Sequence, residues 1–119
     1  MKPQRANILN EIDDERKRQD AKFGEQNIPS HAGMIGPGDI VQYRIPSTED
    51  CREICNRRKQ VGIVSWLDVA LEELAEVNEA SFNAVNPYTA ATEAQVREEL
   101  IHLAAVCVAW IECIDRRTQ

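Results

Sequence analysis

Four side chains in two short runs carry most of the chemistry that this sequence offers. Glu73 and Glu76 stand in Glu72-Glu73-Leu74-Ala75-Glu76, and Glu99 and His102 stand in Glu98-Glu99-Leu100-Ile101-His102. Within each run the two are three residues apart, which makes them neighbours on one side of a helix. Both runs sit inside apolar stripes of helical period. Trp66, Val69, Ala70, Val77 and Ala80 share the stripe of Glu73, with Glu76 beside them. Val96, Leu100, Leu103, Val106, Cys107, Trp110 and Ile114 share the stripe of Glu99. A carboxylate turned towards a core is costly unless it is paired or binds a metal. Three carboxylates and one imidazole converging between two helices are therefore expected to form a divalent-cation site.

The elements that must position these groups are helical. Ile8, Ile12, Glu15, Gln19 and Phe23 mark a first helix from about Pro3 to Lys22, with proline near its start and Gly24 just past its end. The stretch from Asn27 to Pro46 holds Pro29, Gly33, Gly36, Pro37, Gly38 and Pro46, and is expected to be a loop. The Ser47-Thr48-Glu49-Asp50 cluster predicts the start of a short helix reaching about Lys59. Ser65 predicts the cap of the helix carrying Glu73, with Asp68 three residues on as a capping-box variant, and Asn86-Pro87 marks the limit of that helix. Thr92 is expected to open the last helix, which runs to about Arg116 and ends on cations suited to a C-terminus. No strand pattern of any length competes, so the fold class is all-α. The chain is expected to be one helical domain over residues 1–119, with a loop-rich insert at about 27–62. Ile101, Ala104, Ala105, Val108 and Ile111 lie outside the main stripe of the last helix, making it apolar most of the way round. A helix of that kind is buried on several sides, which predicts self-association as a homodimer or homotetramer.

Composition narrows the partners. The chain has 119 residues and a formal net charge of −6, which speaks against a nucleic-acid footprint. Its basic runs, Arg16-Lys17-Arg18 and Arg57-Arg58-Lys59, read as solvated surface, with reception of a phosphate tail as the other option. No segment reaches the roughly 18 apolar residues of a membrane span, and no signal-peptide pattern opens the chain. A cytoplasmic protein is expected. Cys107 and Cys113 lie in the apolar last helix, where free cysteine acts as a small hydrophobe. Cys51 and Cys55 have a spacing that could bind zinc with His31, but four ligands cannot be assembled around them. His31 is otherwise expected to be an ordinary loop residue.

The run from Trp66 to Glu76, followed by Arg97-Glu98-Glu99-Leu100-Ile101-His102-Leu103-Ala104-Ala105-Val106, resembles the MazG-like all-α nucleoside triphosphate pyrophosphohydrolases. Their pattern is E-E-x-x-E, a spacer of moderate length, then E-x-x-D. The first helix, through Lys22-Phe23-Gly24-Glu25-Gln26, is also similar to phage and actinobacterial members. The insert has no part in the likeness. The resemblance implies hydrolysis of a nucleoside or deoxynucleoside triphosphate to monophosphate and pyrophosphate, with Mg²⁺, or Mn²⁺ in its place, on the acids. Glu73, Glu76 and Glu99 would then be ligands, joined by His102. Glu72 would either support the site or activate the attacking water. Lys22 would pair with a phosphate, Trp66 would stack on the base, and Gln19 or Asn78 would hydrogen-bond its edge. His102 departs from the pattern, standing where the family has aspartate, and imidazole suits transition ions better than Mg²⁺. Glu112 and Asp115 also spell E-x-x-D, but lie about three turns further on and are expected at the surface. The competing reading is a non-catalytic helical oligomer that binds nucleotide, metal or a protein partner without cleavage.

Overall fold

Capping decides where the helices begin, and the sequence writes the caps openly. In the computed structural model, which describes residues 1–36, 39–85 and 89–118, α1 spans Pro3–Phe23, α2 Thr48–Gln60, α3 Trp66–Asn83 and α4 Ala90–Arg117. Pro3 occupies the first turn of α1 and Gly24, at φ 66°, closes it by donating its N–H to the Asp20 carbonyl at 2.8 Å. The Ser47 hydroxyl accepts the Asp50 N–H at the start of α2, where Glu49 and Asp50 meet the positive end of the helix. At α3 the expected capping box is complete: Ser65 Oγ accepts the Asp68 N–H at 3.1 Å, and Asp68 accepts the Ser65 N–H at 3.0 Å. The cap of α4 is Thr89, not Thr92. Thr89 Oγ1 accepts the Thr92 N–H while Thr92 Oγ1 accepts the Thr89 N–H, so Thr92 is the third helical residue of a reciprocal cap. The Asn86-Pro87 stop lies outside the described residues, and α3 ends at Asn83.

The all-α class holds, with one small addition. β1 (Met34–Gly36) and β2 (Asp39–Ile40) pair antiparallel inside the stretch expected to be loop, Met34 opposite Ile40 and Gly36 opposite Asp39. Strands this short fall below the length at which alternation can be read from a sequence. Pro37 and Gly38 lie outside the described residues.

The chain divides into two compact units, Met1–Ile28 with Cys107–Gln119 and Pro29–Val106, and α4 contributes to both. In the first, Ile8 is buried and Arg5 pairs with Glu112 at 3.3 Å. Glu112 is thus a buried, paired carboxylate, not the surface residue that its sequence position suggested. Its neighbour Asp115 is half-buried. From Leu9 onward α1 is exposed and held by its own ion pairs, Arg16 with Asp20 and Lys17 with Asp13 one turn apart. The Arg16-Lys17-Arg18 run is accordingly a solvated, internally paired face.

In the second unit α2 lies on α3. Thr48, Cys51 and Cys55 form the buried stripe of α2, and α3 meets the start of α4 through Ala80, Ala84 and Val96. Leu100, Cys107 and Ile114, expected in the core stripe of α4, are exposed instead.

Candidate metal centre

Glu73 and Glu76 sit on successive turns of α3, and Glu99 and His102 on successive turns of α4. Each of the four offers one ligand atom, and these atoms all lie within 4.8 Å of one another. The four residues singled out from spacing alone are thus brought to one place, within the Pro29–Val106 unit. Glu99 Oε2 and His102 Nδ1 are 3.3 Å apart, and the carboxylates of Glu73, Glu76 and Glu99 are only partly exposed.

Like charges at this spacing repel by about 1 kcal/mol per pair in bulk water, and several times more near a protein surface. Burial adds to this repulsion and outweighs it, and both Glu73 and Glu99 hold their protons above the ordinary carboxylate range. For Glu73 burial is the main cause, followed by the charge of Glu76 and a hydrogen bond with it. For Glu99 burial again leads, then Glu76, while His102 opposes the rise. Glu73 Oε2 is fully shielded from solvent and has no hydrogen-bond partner among the described residues. A buried carboxylate oxygen without a donor is a destabilising arrangement that a cation would relieve. The donor set, three carboxylates and one imidazole, suits a divalent ion, and 4.8 Å is close to the span of opposite ligands around a small one, roughly 4 to 5 Å.

The rim is cationic at one point. Arg52 of α2 donates from Nε to Glu72 at 3.3 Å and from Nη2 to Glu76 at 3.1 Å. Glu72, a candidate for activating water, is therefore engaged by Arg52. Glu79 is committed elsewhere, accepting the Thr48 N–H at 2.9 Å and so capping α2 from α3.

No protein-family model, curated protein or solved structure matches this chain.

The proposed substrate contacts fall in different places. Trp66 is half-buried at the first position of α3, seven residues and so about 10 Å along the axis from Glu73. Asn78 is half-buried on the same helix, its carbonyl accepting the Ser81 hydroxyl. Gln19 and Lys22 belong to the other unit. There Gln19 accepts from Arg16 at 2.7 Å, and the Lys22 ammonium lies 5.2 Å from the centroid of the Phe23 ring.

Cys51 and Cys55 are core thiols. Both are buried, Cys55 Sγ lies 3.3 Å from the Asp68 carbonyl, and burial pushes both thiols above their usual range. Neither joins a metal-competent group among the described residues. His31 departs most from expectation: it is buried, edge-on to Tyr43 and Phe82, with Nδ1 accepting the Gly33 N–H at 2.9 Å. It lines a cavity of about 250 Å³ with Pro29, Ser30, Ser81, Ala84 and Val85. Nothing in the local sequence marks this, because the rings that pack on it, Tyr43 and Phe82, lie twelve or more positions away. Among the described residues no helix is long and apolar enough to cross a membrane.

Proposed function

We propose that this protein is a divalent-metal-dependent pyrophosphohydrolase that cleaves a nucleoside or deoxynucleoside triphosphate to the monophosphate and pyrophosphate. The observation that carries the reading is the convergence of Glu73, Glu76, Glu99 and His102 within 4.8 Å, with Glu73 Oε2 buried and unpartnered. The motif resemblance supplies the reaction class. Mg²⁺ or Mn²⁺ held by these residues would neutralise and orient the phosphate chain and make a bound water nucleophilic at neutral pH. Glu72 stands next to this cluster as the candidate group to take the proton of that water, once Arg52 leaves it. Trp66 is the aromatic on α3 available for stacking, with Asn78 as a polar group for the base edge. The imidazole of His102 favours Mn²⁺ over Mg²⁺. Self-association as a homodimer or homotetramer belongs to the same proposal.

The test is pyrophosphate release from a panel of ribo- and deoxynucleoside triphosphates, with Mg²⁺ and with Mn²⁺ in separate series. Release is expected, faster with Mn²⁺, and Glu73→Gln is expected to abolish it while leaving the helical circular-dichroism signal intact. A second reading is favoured by one observation, the histidine at the position of the motif aspartate: a helical oligomer that binds metal and nucleotide without cleaving it. Bound nucleotide with no pyrophosphate release under either ion would select it.

A further inference from the structure

We propose that Arg52 is an exchangeable counter-ion: it holds Glu72 and Glu76 in the metal-free protein, and turns to the triphosphate chain when a cation takes Glu76. This rests on the function proposed above and assigns a residue outside the two acidic motifs. Arg52 belongs to α2, in the segment that the motif resemblance leaves out. Its guanidinium spans two carboxylates one turn apart on α3, using Nε for Glu72 and Nη2 for Glu76. Nη1 makes no hydrogen bond among the described residues, so the planar fork keeps donor capacity in reserve.

Four features support the exchange. The Arg52 side chain is 58% exposed, against 20% and 24% for Glu72 and Glu76, so the cation lies on the solvent side of the acids. Ion pairs exposed to this degree are weak, and a divalent ion competing for Glu76 displaces one readily. A guanidinium released there is a planar, permanently charged donor, the group best matched to phosphate oxygens. The backbone of α2 meanwhile stays fixed, because Cys51 and Cys55 on either side of Arg52 are buried and Glu79 caps the helix at Thr48. Only the side chain has to move.

The exchange predicts effects of opposite sign from a single substitution, which a purely structural tether would not give. Mn²⁺ binding to the protein alone is followed by electron paramagnetic resonance, and binding of inorganic tripolyphosphate at saturating Mn²⁺ by calorimetry. Arg52→Met keeps the aliphatic stem and removes the charge. It is expected to tighten Mn²⁺ by about 2- to 5-fold, since a weak competitor has gone. It is expected to weaken tripolyphosphate about 10- to 100-fold, the range for losing a charge-assisted hydrogen bond. Arg52→Lys is expected to restore wild-type Mn²⁺ affinity and part of the tripolyphosphate binding. Loss of both affinities together in Arg52→Met, or no change in either variant, would overturn the inference while leaving the metal site standing. Absence of Mn²⁺ binding in the wild-type protein would overturn the metal site and the inference with it.

Discussion

At the scale of single residues, the acidic cluster costs the metal-free protein stability. Glu73 and Glu99 both resist ionisation because they are partly buried beside Glu76. A carboxylate whose proton is held more tightly folded than unfolded destabilises the fold as pH rises past its folded value, so at neutral pH this cluster opposes folding. Glu73→Gln removes one of the charges and is expected to raise the melting temperature in chelator by about 2–5 °C, roughly 0.5–1 kcal/mol. Mn²⁺ is expected to give the wild-type protein a further rise, which the same variant is expected to lose. A thermal melt with and without Mn²⁺ checks both signs. The four members of the cluster were legible in the sequence because they obey a local rule, three residues apart on an apolar stripe. Arg52 was not, since nothing near residue 52 announces an acidic partner 20 and 24 positions away. The burial of Glu112 is hidden from the sequence for the same reason: its partner Arg5 lies at the other end of the chain.

At the scale of elements, the chain spends its clearest signals on helix ends. Ser65 and Asp68 satisfy each other's backbone donors at the start of α3, the helix that carries Glu73 and Glu76. Ser65→Ala is expected to cost about 1 kcal/mol, read as a lower midpoint in urea with an unchanged slope. The Asp68 half of the box is held below the ordinary carboxylate range, first by the Ser65 backbone N–H and also by Arg58. A depressed value stabilises the fold above about pH 4, the unfolded carboxylate range, and that contribution disappears as pH falls through the folded value. Caps of this sort are read directly from serine, threonine and aspartate spacing, which is why the helix limits were predicted within a few residues. The β1–β2 pair and the burial of His31 were not readable, because both depend on what folds over them. Thr89 and Thr92 present the same residue type one turn apart, so the sequence does not say which of them is the cap.

At the scale of the whole molecule, few large apolar side chains are buried among the described residues. The buried apolar residues among those described are mostly small: Cys51, Cys55, Ala75, Ala80, Ala84 and Val96, with Ile8 in the first unit. Leu67 is 65% exposed, Ile101 55% and Leu100 47%, and α3 also leaves Leu71 and Leu74 more than a third exposed. Contacts between stable partners bury about 1,200–2,000 Å² in total, and covering these side chains of α3 and α4 in two copies is a direct way to reach it. The protein is expected to sediment as a dimer or larger at micromolar concentration, and Ile101→Glu is expected to shift it towards monomer. A wild-type chain that sediments as monomer at tens of micromolar would reject this. The expectation of self-association comes from the apolar girth of α4, but which positions remain uncovered is learned only from the packing.

The two thiols under α2 have a consequence for timing. Cys51 and Cys55 are 3% and 1% exposed and hold their protons tightly, whereas Cys107 on α4 is open to solvent. Thiolate chemistry demands both access and ionisation, so a thiol reagent meets Cys107 at once and reaches the other pair only when α2 lifts from α3. Their slow labelling clocks that local opening, on the helix whose Arg52 sits at the mouth of the acidic cluster.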